Sequence, residues 1–229
     1  MFFDWTYLVI VMPMVLVAMW AQIKVQSTYK KYSTVYSRSG MTAEVAVRKI
    51  LDTNGLFNVG ITRVPGELTD HYDPRTNTIA LSDSVYGSTS VAAIGVAAHE
   101  AGHAIQHAVG YGPIKVRSAM VPITNIGSRL SMPLVILGII FGYYPLAYAG
   151  IILFGVTTVF QLVTLPTEFN ASRRAVQALG GYGYMNDEEL KGTKKVLSAA
   201  AMTYLAALFV SLASLLRLLL IVGGGRRRD

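Results

Sequence analysis

Hydrophobic and polar positions follow one another in long blocks along this chain. Four apolar stretches each approach the roughly 20 residues that a membrane-spanning helix needs. They cover residues 5–22, 122–144, 146–165 and 196–222. The segments between them are more polar and carry both helical and strand periodicity. The pattern therefore predicts a mainly α integral membrane protein with about four transmembrane helices and a small α+β portion.

The same blocks predict six segments. They are an N-terminal transmembrane anchor (1–23), a cytoplasmic portion (24–120), a transmembrane hairpin (121–165), a returning helix and loop (166–196), a C-terminal transmembrane helix (197–222) and a basic tail (223–229). Lysine and arginine are concentrated between residues 24 and 195, so the positive-inside rule places this side in the cytoplasm. The three arginines of the tail would then lie on the opposite side, which leaves open whether the last segment crosses fully.

Composition narrows the class of protein further. Of 229 residues, 52% are hydrophobic and 14% are charged, whereas soluble domains carry about a quarter charged residues. The chain has no cysteine, which excludes thiolate metal ligands, a cysteine nucleophile and disulfides. The net charge of +7 belongs to lysines and arginines beside apolar spans, and no nucleic-acid-binding signature is present. A lipid bilayer is therefore the expected partner, and nucleic acid is not.

The candidate chemistry lies in an alanine-rich stretch without proline, Val91 to Ala108, which predicts a helix. His99 and His103 are four residues apart, so on a helix they project from one face and can meet one metal ion. Glu100 stands beside the first histidine and can reach a water on the open side of that ion. This His-Glu-x-x-His spacing predicts a zinc site with Glu100 as general base.

A catalytic zinc usually has a third protein ligand. His107 lies about 12 Å along the helix axis from His99, too far to share one ion. Glu188 and Glu189 stand at a helix start, where a capping box with Asn186 explains them. Glu168 follows the membrane hairpin on a predicted helix, and its returning position favours it as the third ligand, in the gluzincin arrangement.

A short strand-like segment, residues 76–82, precedes the histidine helix. In zinc peptidases an edge strand beside this helix binds the extended substrate backbone. The segment is therefore a candidate edge strand, with Asn77, Thr78, Ile79 and Ala80 as substrate-binding residues. An ordinary structural strand is an equally good interpretation. Upstream, a helix capped by Thr42 and ending near Asn54 is expected.

Three motifs together resemble the YugP-type neutral zinc metallopeptidases, which are prokaryotic membrane proteins more distantly similar to the HtpX and CAAX-prenyl peptidases. They are Leu-Thr-Asp-His-Tyr-Asp-Pro-Arg from residue 68, Ala-Ala-His-Glu-Ala-Gly-His-Ala-Ile-Gln-His from residue 97 and Leu-Pro-Thr-Glu-Phe-Asn-Ala-Ser-Arg-Arg-Ala from residue 165. The resemblance covers almost the whole chain. It implies one zinc ion per chain held by His99, His103 and Glu168, with Glu100 as base, in a zincin-like portion at a prokaryotic cell membrane.

The chain departs from the family pattern at two positions. Asn170 stands where the family has aspartate two residues after the third ligand, and Ser172 stands where HtpX-type enzymes have an acidic residue. Such side chains orient a ligand histidine, so weaker zinc binding or a lower rate is expected here. His71 and Arg173 are candidate donors to the developing oxyanion, although a solvated turn is the better explanation of His71. Arg174, Tyr182 and Tyr184 are further candidates.

These observations predict a membrane-embedded zinc endopeptidase that hydrolyses membrane, membrane-proximal or misfolded proteins. A non-catalytic membrane scaffold or regulator that keeps zinc structurally is the main alternative. A metal transporter is a weaker alternative, because no predicted span carries paired acidic or histidine side chains. Substrate identity, oligomeric state and any regulatory membrane partner are not readable from the sequence.

Overall fold

The structure, a computed structural model, describes residues 5–225. A π-helical turn, Tyr7–Val11, leads into the first helix. The helices are α1 (Met12–Ser33), α2 (Ala43–Thr53), α3 (Val91–Ala108), α4 (Gly112–Ile140), α5 (Tyr144–Gly181) and α6 (Asp187–Gly225), and the strands are β1 (Gly60–Val64), β2 (His71–Asp73) and β3 (Thr78–Ser82). The three arginines of the predicted basic tail, residues 226–228, lie outside the described residues.

Four helices in the described part of the chain are long and apolar enough to cross a membrane: Tyr7–Ser33, Gly112–Ile140, Tyr144–Gly181 and Asp187–Gly224. The predicted mainly α membrane fold with a small α+β portion is confirmed. α5 and α6 are much longer than the apolar stretches that predicted them. Both therefore carry a polar segment and an apolar segment on one helix.

The chain folds into two compact units. Within the described residues, the first consists of residues 5–22, 116–165 and 203–225. Small residues let α4 and α5 pack closely there, because a Cβ on Gly138 would collide with the backbone of Ala147 and a Cβ on Gly150 with that of Ser131. Close approach of this kind is how membrane helices gain packing energy without a hydrophobic driving force.

The second unit consists of residues 23–115 and 166–202. Its sheet has the order β1-β3-β2, with β1 parallel and β2 antiparallel to β3. α2 and α3 pack together over a core of buried alanine, valine, leucine and isoleucine side chains. Ser90 caps α3, its hydroxyl accepting a hydrogen bond from the Ala93 amide at 3.2 Å, which fixes where the histidine helix begins.

The predicted edge strand at residues 76–82 is wrong, because β3 is the central strand. Its residues pair with β1 on one side, Gly60 opposite Thr78, and with β2 on the other, Tyr72 opposite Ile79. Thr78, Ile79 and Ala80 therefore have no open backbone edge for a substrate. Asn77 lies in the preceding turn, where its side chain accepts a hydrogen bond from the Tyr72 hydroxyl. The outer strand near α3 is β2.

The helix-start predictions have mixed outcomes. Thr42 occupies the N-cap position of α2 as predicted, but its buried hydroxyl forms no capping hydrogen bond among the described residues. The capping box at α6 is confirmed. The backbone amide of Asn186 donates to the Glu189 carboxylate, and the backbone amide of Glu189 donates to the side-chain oxygen of Asn186. Glu189 also accepts a hydrogen bond from the backbone amide of Arg38, so its role is structural.

Candidate metal centre

Helix α3 carries the two histidines and the candidate base on its buried side. His103 and Glu100 are each 8% exposed, and the rings of His99 and His103 meet edge to face with centroids 4.7 Å apart. This arrangement follows from helical geometry, since residues four apart lie one turn above each other.

Helix α5 brings Glu168 to these histidines. The approach depends on Gly102, where a Cβ would lie 2.6 Å from the carbonyl oxygen of Ala171. The backbones of α3 and α5 therefore touch one turn from Glu168. Glu168 is 2% exposed, which is rare for a carboxylate unless a cation or donors compensate its desolvation.

The three side chains converge on one point. Glu168 Oε2 lies 3.2 Å from His99 Nε2 and 3.6 Å from His103 Nε2. One ligand atom from each residue lies within 4.8 Å of the others. Two imidazole nitrogens and one carboxylate oxygen match the donor set of a catalytic zinc, which leaves a fourth position for water. The residues present therefore suit zinc.

Each histidine is oriented by a hydrogen bond on its other ring nitrogen. His99 Nδ1 forms a hydrogen bond with the Ser172 hydroxyl at 3.1 Å, and His103 Nδ1 donates to Gln106 Oε1 at 3.0 Å. Both Nε2 atoms face Glu168, so both rings present Nε2 to one point, as two histidine ligands of a shared metal ion must.

Gln106 was missed at the sequence level. It is fully buried, and its amide group donates to the Thr167 carbonyl at 2.8 Å and to Asn170 Oδ1 at 3.0 Å. It thus links His103 on α3 to the helix that carries Glu168. The sequence contains one indication of this role: Gln106 lies three residues after His103, so the two side chains share one face of the helix.

The two departures from the family pattern have different outcomes. Ser172 contacts His99 directly, as expected of a substitute for an acidic residue. Asn170 does not contact a histidine; its Oδ1 accepts from Gln106 and from Arg174 Nε at 2.8 Å. At this position a neutral asparagine, hydrogen-bonded to Gln106 and Arg174, therefore replaces the carboxylate of the family pattern.

The other histidines and Arg173 lie outside the His-His-Glu group. The His107 ring stands 5.5 Å from that of Tyr72, which agrees with its exclusion as a ligand. His71 is exposed on β2, and its Nδ1 donates to the Thr69 carbonyl at 2.9 Å. Arg173 is exposed. The oxyanion roles of His71 and Arg173 stay predictions.

Burial and neighbouring charges shift the pKa values of His103 and Asp70. Burial alone would lower the pKa of His103, but the facing carboxylates of Glu168 and Glu100 outweigh it, so its pKa is raised. Burial raises the pKa of Asp70, against hydrogen bonds from Ser82, and the charge of Glu100 adds to the increase. Glu100 thus lies within electrostatic reach of both a metal-site histidine and the residue that precedes β2.

Zinc binding should weaken steeply in acid. Because the pKa of His103 is raised, this imidazole keeps its proton to a higher pH than a free histidine, whose pKa is about 6.5. Zinc must displace that proton, so affinity should rise with pH until the His103 pKa is passed. Calorimetric titration in buffers of different ionisation enthalpy measures the released protons. An affinity independent of pH between about 6 and 8 would contradict this electrostatic picture.

Gln106→Leu should lower zinc affinity by about 10- to 100-fold, because His103 loses the acceptor that fixes its ring. Competition with a chelator measures the change. Gln161→Leu on α5 is the matched control, since the buried Gln161 Oε1 makes no hydrogen bond among the described residues. Equal zinc affinity in both variants would show that Gln106 does not position the ligand.

Comparison with known proteins agrees with this geometry. Residues 7–223 match a family described as "Putative neutral zinc metallopeptidase". The chain is 47% identical over 207 residues to the "Putative membrane protease YugP" of Bacillus subtilis (strain 168), covering 90% of this chain and 92% of that protein. No solved structure matches it. The chain therefore belongs to the neutral zinc metallopeptidase family that this match describes.

Proposed function

We propose that this protein is a membrane-embedded, zinc-dependent endopeptidase of the gluzincin type, with one zinc ion per chain. The observation that carries the proposal is the convergence of His99, His103 and Glu168 next to Glu100. A structural zinc site is usually closed by four protein ligands, whereas three ligands leave a position for water. The described residues place three in this group.

The residues have distinct roles in this proposal. His99, His103 and Glu168 would hold the ion, and Ser172 and Gln106 would fix the orientation of the two histidine rings. Bound zinc supplies Lewis-acid chemistry that lowers the pKa of a water molecule to about 7. Glu100 would accept a proton from the attacking water and pass that proton to the leaving amine. His71 and Arg173 are the candidate donors to the carbonyl oxygen.

The substrate backbone is proposed to pair with the outer edge of β2. This strand contacts α3, and Asp70 ties its start to β3 by accepting from the Ser82 amide and hydroxyl, each at 2.8 Å. A substrate peptide methylated at alternate backbone nitrogens should then bind about tenfold more weakly, because methylation removes strand hydrogen bonds. Undiminished binding would exclude pairing at this edge.

The substrates are proposed to be membrane, membrane-proximal or misfolded proteins at a prokaryotic cell membrane, with the catalytic side in the cytoplasm. The excess of lysine and arginine between residues 24 and 195 supports this sidedness. Unfolded segments suit a site that binds an extended backbone.

The proposal is tested by incubating the purified full chain in detergent with a denatured model protein and identifying the products by mass spectrometry. Internal cleavage that stops with a zinc chelator and returns with zinc is the expected result. Trimming from the termini alone would contradict the endopeptidase assignment. Zinc binding without any cleavage across a panel of unfolded substrates would favour the scaffold alternative.

A further inference from the structure

A second site, separate from the metal centre, lies between α1 and α6. A cavity of about 480 Å³ opens there, within the range of small-ligand sites, about 300–1,000 Å³. Its lining includes two lysines from each helix: Lys24, Lys31, Lys194 and Lys195. The remaining lining residues are Thr28, Tyr32, Ser198, Ala199 and Met202. No acidic side chain lines it.

The helical spacing explains the cluster. Lys24, Thr28 and Lys31 share one face of α1, and Lys195, Ala199 and Met202 share one face of α6. The helices come close because Gly192 has no side chain. A Cβ at this position would lie 2.9 Å from the ring of Tyr32. Two positively charged faces are thereby held opposite each other.

The four lysines are exposed, and like charges that lie near one another repel unless an anion compensates them. None of the four lysines forms an ion pair with a carboxylate in the described part of the chain. The Lys31 ammonium instead lies 5.8 Å from the centroid of the Tyr32 ring. The charges are therefore available to an external anion.

The position along the helices indicates which anion. Lys24 lies just after the apolar run 5–22, and Lys194 and Lys195 directly precede the apolar stretch 196–222 of α6. Lysines at such a boundary lie at headgroup level, and basic pockets between helices there suit phospholipid headgroups. Thr28 and Ser198 add hydroxyl groups for phosphate oxygens, and Ala199 and Met202 offer apolar contact for the glycerol and first acyl carbons.

We propose that this cavity binds the phosphodiester headgroup of an anionic membrane phospholipid. The lysines of both helices neutralise the phosphate, so a bound lipid would hold α1 against α6. This inference is independent of the peptidase proposal, since it involves no residue of the metal centre and its test needs no catalytic activity.

The test is native mass spectrometry of the purified full chain in neutral detergent, titrated with phosphatidylglycerol or with phosphatidylcholine. Wild-type protein should bind phosphatidylglycerol more tightly. Lys31→Gln with Lys194→Gln should lower that affinity on the order of tenfold or more and leave phosphatidylcholine binding unchanged. Lys30→Gln with Lys191→Gln is the matched control, because these exposed lysines lie on the same helices outside the cavity.

Equal losses in the cavity and control pairs would overturn the proposal, since they would reflect net charge alone. Retained phosphatidylglycerol affinity in the cavity pair would overturn it as well. Inorganic phosphate and an acidic peptide are added as competitors in separate arms. Displacement of the lipid by either one at equal concentration would assign the cavity to that anion and reject the lipid headgroup.

Discussion

Replacing Glu100 by glutamine should reduce peptide-bond cleavage by on the order of 10²- to 10⁴-fold, the usual contribution of a positioned general base. The substitution keeps the side-chain size and all three proposed zinc ligands, so zinc binding should persist. Initial rates of cleavage of a denatured protein, with zinc content determined on the same samples, measure both properties.

Glu188→Gln is the control for that experiment, because Glu188 is an exposed carboxylate on α6 whose side chain is 85% accessible. It should cleave like the wild type. If Glu100→Gln also cleaved like the wild type, the proposed mechanism would be wrong. If Glu100 were dispensable in vivo while His99 and His103 were not, the scaffold alternative would be favoured.

Gly102→Ala should disrupt the metal centre although it touches no ligand. The new Cβ would lie 2.6 Å from the Ala171 carbonyl oxygen and 3.1 Å from its Cα. Backbone atoms cannot rotate away, so α5 must shift and carry Glu168 with it. Misplacement of about 1 Å can cost 10²-fold in rate, and overpacking costs about 1–3 kcal/mol of stability. Zinc affinity, cleavage rate and thermal unfolding measure these effects.

Gly155→Ala is the matched control on α5, because a Cβ there meets no atom within 4 Å. Alanine favours a helix over glycine by up to about 1 kcal/mol, so this variant should be as stable as the wild type or more so. Unchanged zinc affinity in Gly102→Ala would show that the contact between α3 and α5 does not set the ligand geometry.

Local information in the sequence was sufficient for the histidine helix. Its predicted bounds, Val91 to Ala108, agree with the structure, because an alanine-rich run preceded by a serine cap contains both the propensity and the start signal. The spacing of His99 and His103 then follows from helical geometry alone. The four apolar spans were readable for the same reason, since each depends on a contiguous run of residues.

The contacts between segments that are distant in the sequence could not be predicted from it. The position of β3 between two strands depends on β1, which lies some 20 residues away and pairs in parallel. A local pattern shows that a segment is extended but not how many neighbours it has. The link from Gln106 to Asn170 has the same origin: it exists because Gly102 lets α5 approach α3, and a single sequence does not show which glycine marks that contact.

Zinc held by His99, His103 and Glu168 is the proposed catalytic metal. The most direct test is to strip the full chain with a chelator, titrate zinc back, and follow bound zinc and cleavage rate together. The rate should rise linearly with occupancy and saturate at one zinc per chain. Glu168→Ala should show weaker zinc binding and little cleavage. Full cleavage by zinc-free protein, or by Glu168→Ala at the wild-type zinc requirement, would contradict the claim.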